Sequence, residues 1–101
     1  MAIPPVTKRT NENGFVEYHL SFDGAWDGLD SFVKYLQKHW NGEVSESVDS
    51  IYSRRWVVRS EYVPISIYHD SQLGNFFLRE DGVDDLSLLE RIAVDVAERM
   101  K

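Results

Sequence analysis

The sequence predicts an α+β domain: a two-layer sandwich with two helices on one face of a largely antiparallel sheet of about four to five strands. Three observations lead there. Two segments, one beginning near Asp27 and one near Val83, repeat apolar residues with the period of an α-helix. Most of the rest alternates apolar with polar residues, the period-two mark of strands with one buried side. The elements run strand, helix, strands, helix, so the cover for each helical stripe is most economically a sheet face. A chain of 101 residues fits one domain, residues 1–101. At this size roughly 60–70% of the unfolded surface can be buried.

Ile3, Pro4 and Pro5 form an extended lead-in, and "VTKRT" suits a short edge strand. Asn13-Gly14 in "NENG" is a turn signal, because both residue types tolerate positive φ. In "FVEYHLSF", Val16, Tyr18, Leu20 and Phe22 share one face, while Glu17, His19 and Ser21 share the other. The first helix carries Leu29, Phe32, Val33, Leu36 and Trp40 as one stripe. Asp27 is its expected N-cap, Asp30 adds charge in the first turn, and Asn41-Gly42 supplies a left-handed stop. Leu36 and Trp40 are both expected in the core.

"EVSESVDS" reads as a loop or a poorly packed strand. In "YSRRWVVRS", Arg55, Val57 and Arg59 oppose Arg54, Trp56, Val58 and Ser60. "YVPISIYHD" continues extended, with Pro64 marking a strand start, bulge or edge. "SQLGN" reads as a hairpin loop, "FFLRE" as the last strand and "EDG" as a turn. The second helix has a stripe of Leu89, Ile92, Ala93, Val96 and Met100, widened by Leu86 and Leu88. Asp84 or Asp85 is its expected cap, with Arg99 and Lys101 at its C-terminal end.

Composition narrows the function. The formal net charge of -6 opposes non-specific binding to nucleic acid and favours a basic partner or plain solubility. The chain has no cysteine, so disulfides and thiolate metal sites are out. The N-terminal residues contain no apolar signal-peptide core, and no apolar run reaches the ~18–20 residues of a membrane span. His19, His39 and His69 are far apart and form no metal-ligand spacing, so no metal and no other cofactor is expected. "GAWDG" lacks the spacing of a phosphate loop, and no serine sits in a G-x-S-x-G elbow.

His69-Asp70 is the most enzyme-like pair, since histidine beside aspartate suits acid–base chemistry. On a strand, however, neighbours point to opposite faces, which favours Asp70 as the start of a turn. The arginine-rich stretch from Ser53 to Glu80 reads first as a solvated sheet face, with ion pairs to residues such as Glu61. Its other reading is a protein contact through Arg55 and Arg59. Asp27 and Asp30 at one helix start, and Asp84 and Asp85 at the other, are the second candidate contact, suited to a basic protein.

The runs "SFDGAWDGLDSFVKYLQKHW", "RRWVVRSEYVPISIYHDSQLGNFFLRE" and "LSLLERIAVDVAERM" resemble small uncharacterised bacterial α/β domains. In size, acidity and layout the chain is also similar to immunity proteins of bacterial toxin systems. That resemblance implies a cytoplasmic, non-enzymatic binding role and carries over no functional residue. The expected function is therefore a protein-binding module, such as an immunity-type inhibitor. The alternatives are a small enzyme or ligand-binding domain using His69 and Asp70, and a homo-oligomeric domain.

Overall fold

The computed structural model describes residues 5–100, so the lead-in expected at Ile3 and Pro4, and Lys101, lie outside it. The elements are β1 (Val6–Thr10), β2 (Val16–Leu20), α1 (Gly28–His39), β3 (Glu43–Asp49), β4 (Ser53–Ser60), β5 (Val63–Asp70), β6 (Gly74–Leu78) and α2 (Ser87–Arg99). The strands form one six-stranded sheet in the order β1-β2-β6-β5-β4-β3, and every neighbouring pair is antiparallel. The α+β class holds, but the sheet has six strands where four to five were expected.

The extra strand is β3, from the polar stretch that reads as either a loop or a poorly packed strand; the second alternative is the one found. All seven of its residues are exposed, so no buried face imposes an alternating pattern. Its pairing with β4 at the sheet edge holds it, with a register shift between Val44 and Glu46.

The core is one cluster. It joins Leu29, Phe32, Val33 and Leu36 of α1 and Leu88, Leu89, Ile92 and Val96 of α2 to Tyr18, Leu20, Val58, Ile65, Ile67 and Phe77 of the strands. The helical stripe of α1 is buried as far as Leu36. Trp40 is only partly buried; it is the C-cap residue, and its indole donates to the Tyr35 hydroxyl at 2.7 Å. Asn41 takes a φ of 51°, and the Gly42 N–H returns to the Leu36 carbonyl at 3.0 Å, the left-handed stop expected there. Asp27 occupies the N-cap position without a side-chain cap bond.

Helix α2 begins later than its pattern suggested. Arg79 binds Asp81 and the Asp85 carbonyl, and Asp81 accepts from the Val83 N–H, so the chain before Ser87 is held in a turn. Leu86 is the cap residue, but the Asp85 carboxylate accepts the Ser87 N–H at 3.0 Å. Met100 is 48% exposed and does not extend the buried stripe; Phe22, beyond the end of β2, is 42% exposed.

The β4–β5 hairpin closes on Glu61 and Tyr62, with φ of 50° and 66°. Two-residue turns with positive φ normally use Asn or Gly, so nothing in the sequence marked this one.

Candidate interaction site

The two helices run antiparallel. Val96 and Arg99 of the last turn of α2, with Met100 just beyond it, line an apolar cleft of about 140 Å³ with Gly28, Ser31, Phe32 and Tyr35 of α1. Arg91, two turns earlier, lies over the Trp40 ring at the other end of α1. The acids expected to act together therefore sit at opposite ends of the molecule: Asp27 and Asp30 where α1 starts, Asp84 and Asp85 ahead of α2. Asp30 is further committed to a bidentate pair with Arg54 at 2.6 and 3.0 Å, and that guanidinium holds its carboxyl below the usual carboxylate value. Hydrogen bonds to the backbone and hydroxyl of Ser87 likewise lower Asp85. Asp27 and Asp84 are exposed.

Arg55 and Arg59 lie on the opposite side of β4 from Trp56 and Val58, as the alternation requires. Arg55 belongs to a row that crosses the sheet through the register pairs Arg55–Tyr68, Tyr68–Phe76 and Phe76–His19. The Tyr68 and Phe76 rings stack at 5.3 Å, and Phe76 and His19 at 4.7 Å. Arg55 donates to the Tyr68 hydroxyl at 3.1 Å and to Glu46 at 2.8 Å; Tyr68 donates to Glu80 at 2.7 Å. Burial and the Glu80 carboxylate raise the Tyr68 pKa. The ion-pair partner of Arg55 is thus Glu46, set diagonally from it on β3, while Glu61 pairs with Arg91. Arg59 is exposed opposite Glu43.

His69 and Asp70 part company. The His69 ring is 6% exposed, meets Asn75 Oδ1 at 2.8 Å and lies edge-on to Trp26. The Asp70 carboxylate turns outward to accept the Gln72 and Leu73 N–H groups, which lower its pKa. It starts the turn before Ser71, and the two side chains form no acid–base pair. Among the described residues no group of three or more His, Asp or Glu is placed to hold a metal ion. No helix among them is long and apolar enough to cross a membrane.

One region was not singled out in the sequence. Three loops meet at the end of the sheet where α1 begins. The Asn75 amide donates to the Asp23 and Ala25 carbonyls, tying residues 21–27 to the start of β6. The Ser71 N–H donates to the Tyr52 carbonyl, joining the β5–β6 and β3–β4 turns. Arg54, 5% exposed, donates to the Trp26 carbonyl, Asp30 and Asp49, and lies over the Trp26 and Trp56 rings at 4.9 and 5.3 Å. Gly28 fits tightly here, because a Cβ would lie 2.6 Å from Asn75 and Asp23. The signal for Arg54 was legible: its parity with Trp56 and Val58 places a cation on the core side, where it needs partners.

Comparison of the chain with protein-family models, curated proteins and solved structures gave no match.

Proposed function

We propose that the chain is a non-enzymatic protein-binding module whose partner is a basic protein, and that it acts as an immunity-type inhibitor by occluding a bacterial toxin in the cytoplasm. In this reading both helices cover one face of the sheet in a two-layer sandwich, and recognition is left to loops and edges. The observation that carries it is the distribution of ion pairs. Lys8, Arg54, Arg55, Arg79, Arg91 and Arg99 each contact a carboxylate of the same chain within 3.2 Å. These cations are thereby offset at home, while among the described residues Asp23, Asp27, Asp70 and Asp84 have no such partner. Each pair cancels a carboxylate along with its cation, so the acidic excess behind the net charge of -6 rests on carboxylates outside the pairs, and a field of one sign steers an oppositely charged protein.

The test is affinity capture from native lysate with the tagged full chain, followed by mass spectrometry and reconstitution with the purified partner. A basic protein forming a defined complex, with association slowed by salt, is the expected result. Recovery of a turned-over small molecule, or of an acidic partner bound independently of salt, would overturn the reading.

A further inference from the structure

We infer that the end of the molecule built by residues 21–27, 50–52 and 71–73 is the docking surface for a basic protein, with its apolar side chains at the centre of the contact and its aspartates at the rim. The inference rests on the binding-module reading and gives it a place. Three observations converge on it. The first is apolar exposure: Ile51 is 83% exposed, Tyr52 73%, Leu73 53%, Phe22 42% and Trp26 41%. Single exposed apolar residues are ordinary, but several brought together from three loops mark an interaction site. Trp and Tyr are also the side chains on which binding energy concentrates.

The second is preorganisation. These loops are fastened to one another through Asn75, Arg54 and the Ser71–Tyr52 bond, and Trp26 is backed by the His69 ring and the Arg54 guanidinium. A surface already held in shape loses less entropy on binding. The third is charge. Segments 21–30, 49–54 and 70–75 contain five aspartates and one cation, Arg54, which is turned inward; Arg9 beside Gly24 and Leu73, and Arg99 beside Phe22 but paired with Asp95, reach only the flanks. Asp23 and Asp70 are held by neutral backbone N–H groups, which leave their charge in place. A second copy of this acidic end, an anionic bilayer or a nucleic acid would be repelled. A basic protein surface with an apolar centre complements both features.

The test is an amide NMR titration of the full chain with a short synthetic peptide alternating Lys or Arg with Leu or Trp. Its controls are the same peptide with Glu for the basic residues, and with Ser for the apolar ones. The basic–apolar peptide is expected to shift residues 21–27, 50–54 and 70–75. The Ile51→Ser/Tyr52→Ser double variant should weaken it by roughly thirtyfold, where interface hot spots begin, and both control peptides should bind less. Both side chains are exposed, and circular dichroism checks that the variant folds. Shifts gathered around Arg59, β3 or Asp84, equal binding of the acidic peptide, or concentration-dependent self-association through these loops would each overturn the assignment. If the peptide misses these loops while the captured basic protein still binds, the placement fails and the binding-module reading survives. If no basic protein binds either, the reading itself fails.

Discussion

A guanidinium on the core side of a sheet must have its charge met, and Arg54 meets it with Asp30, Asp49 and the Trp26 carbonyl. Both carboxylates are about half exposed, at 40% and 46%, so solvent screens much of the Coulomb attraction. The larger loss on truncation would be hydrogen bonds between charged groups and the stacking on two indoles. Arg54→Met should therefore cost about 2–3 kcal/mol, read by urea unfolding at neutral pH. It should also alter the acid limb. Arg54 lowers the Asp30 and Asp49 pKa values below 3.8 in the folded state. Their contribution is then fully present above the unfolded value and disappears as pH falls through the folded ones. The stability of the wild type should fall more steeply below about pH 4 than that of Arg54→Met. Equal slopes would show that these pairs contribute nothing to folding.

At the scale of elements, helix α1 sets the clearest expectation. Leu36 is fully buried in the shared core, and Leu36→Ala should cost about 2–5 kcal/mol in a chemical or thermal melt. A melt unchanged by this substitution would contradict the packing of α1 on the strands. The β4–β5 hairpin points the other way. Tyr62 is 94% exposed with a φ of 66°, a conformation that is unfavourable for a side chain with a Cβ. Tyr62→Gly should raise stability by up to about 1 kcal/mol, the relief of strain being partly offset by the freer unfolded chain; a loss would reveal a packing role for the ring. These two elements also show where the sequence was legible. The stripe from Leu29 to Leu36 has a period that only a helix satisfies, and Asn41-Gly42 is the chemistry of its stop. Strand β3 has no buried face, so its pattern did not separate a strand from a loop, and the Glu61–Tyr62 turn lacks the usual residues, so it left no pattern to read. The candidate site was half visible for the same reason. Aspartates at a helix start can be read locally, but the meeting of Trp26, Ile51, Tyr52 and Leu73 depends on strand order, which periodicity does not determine.

At the scale of the whole molecule, the antiparallel helices divide the acidic charge. Helix α1 has 12 residues, which at a 1.5 Å rise separates its ends by about 18 Å. The screening length is about 8 Å at physiological ionic strength and about 30 Å at 0.01 M. Asp27 and Asp84, which belong to opposite ends, should therefore act as separate charges in ordinary salt and as one acidic body when salt is low. This separates steering from docking. For association with the captured basic protein, Asp27→Lys and Asp84→Lys should both slow the on-rate at about 0.01 M salt, because each weakens the long-range attraction. Near physiological salt only Asp27→Lys should continue to slow it, since its charge alone would lie beside the docked surface. Asp84 is the better control than Asp85, whose carboxylate also holds the first turn of α2. Arg59→Ala, on the other face of the sheet, should leave the physiological rate unchanged. Stopped-flow association at the two salt concentrations reads all three variants. If Asp84→Lys is the variant that stays slow at physiological salt, docking belongs to the start of α2; if Arg59→Ala changes the rate, it belongs to the arginine face.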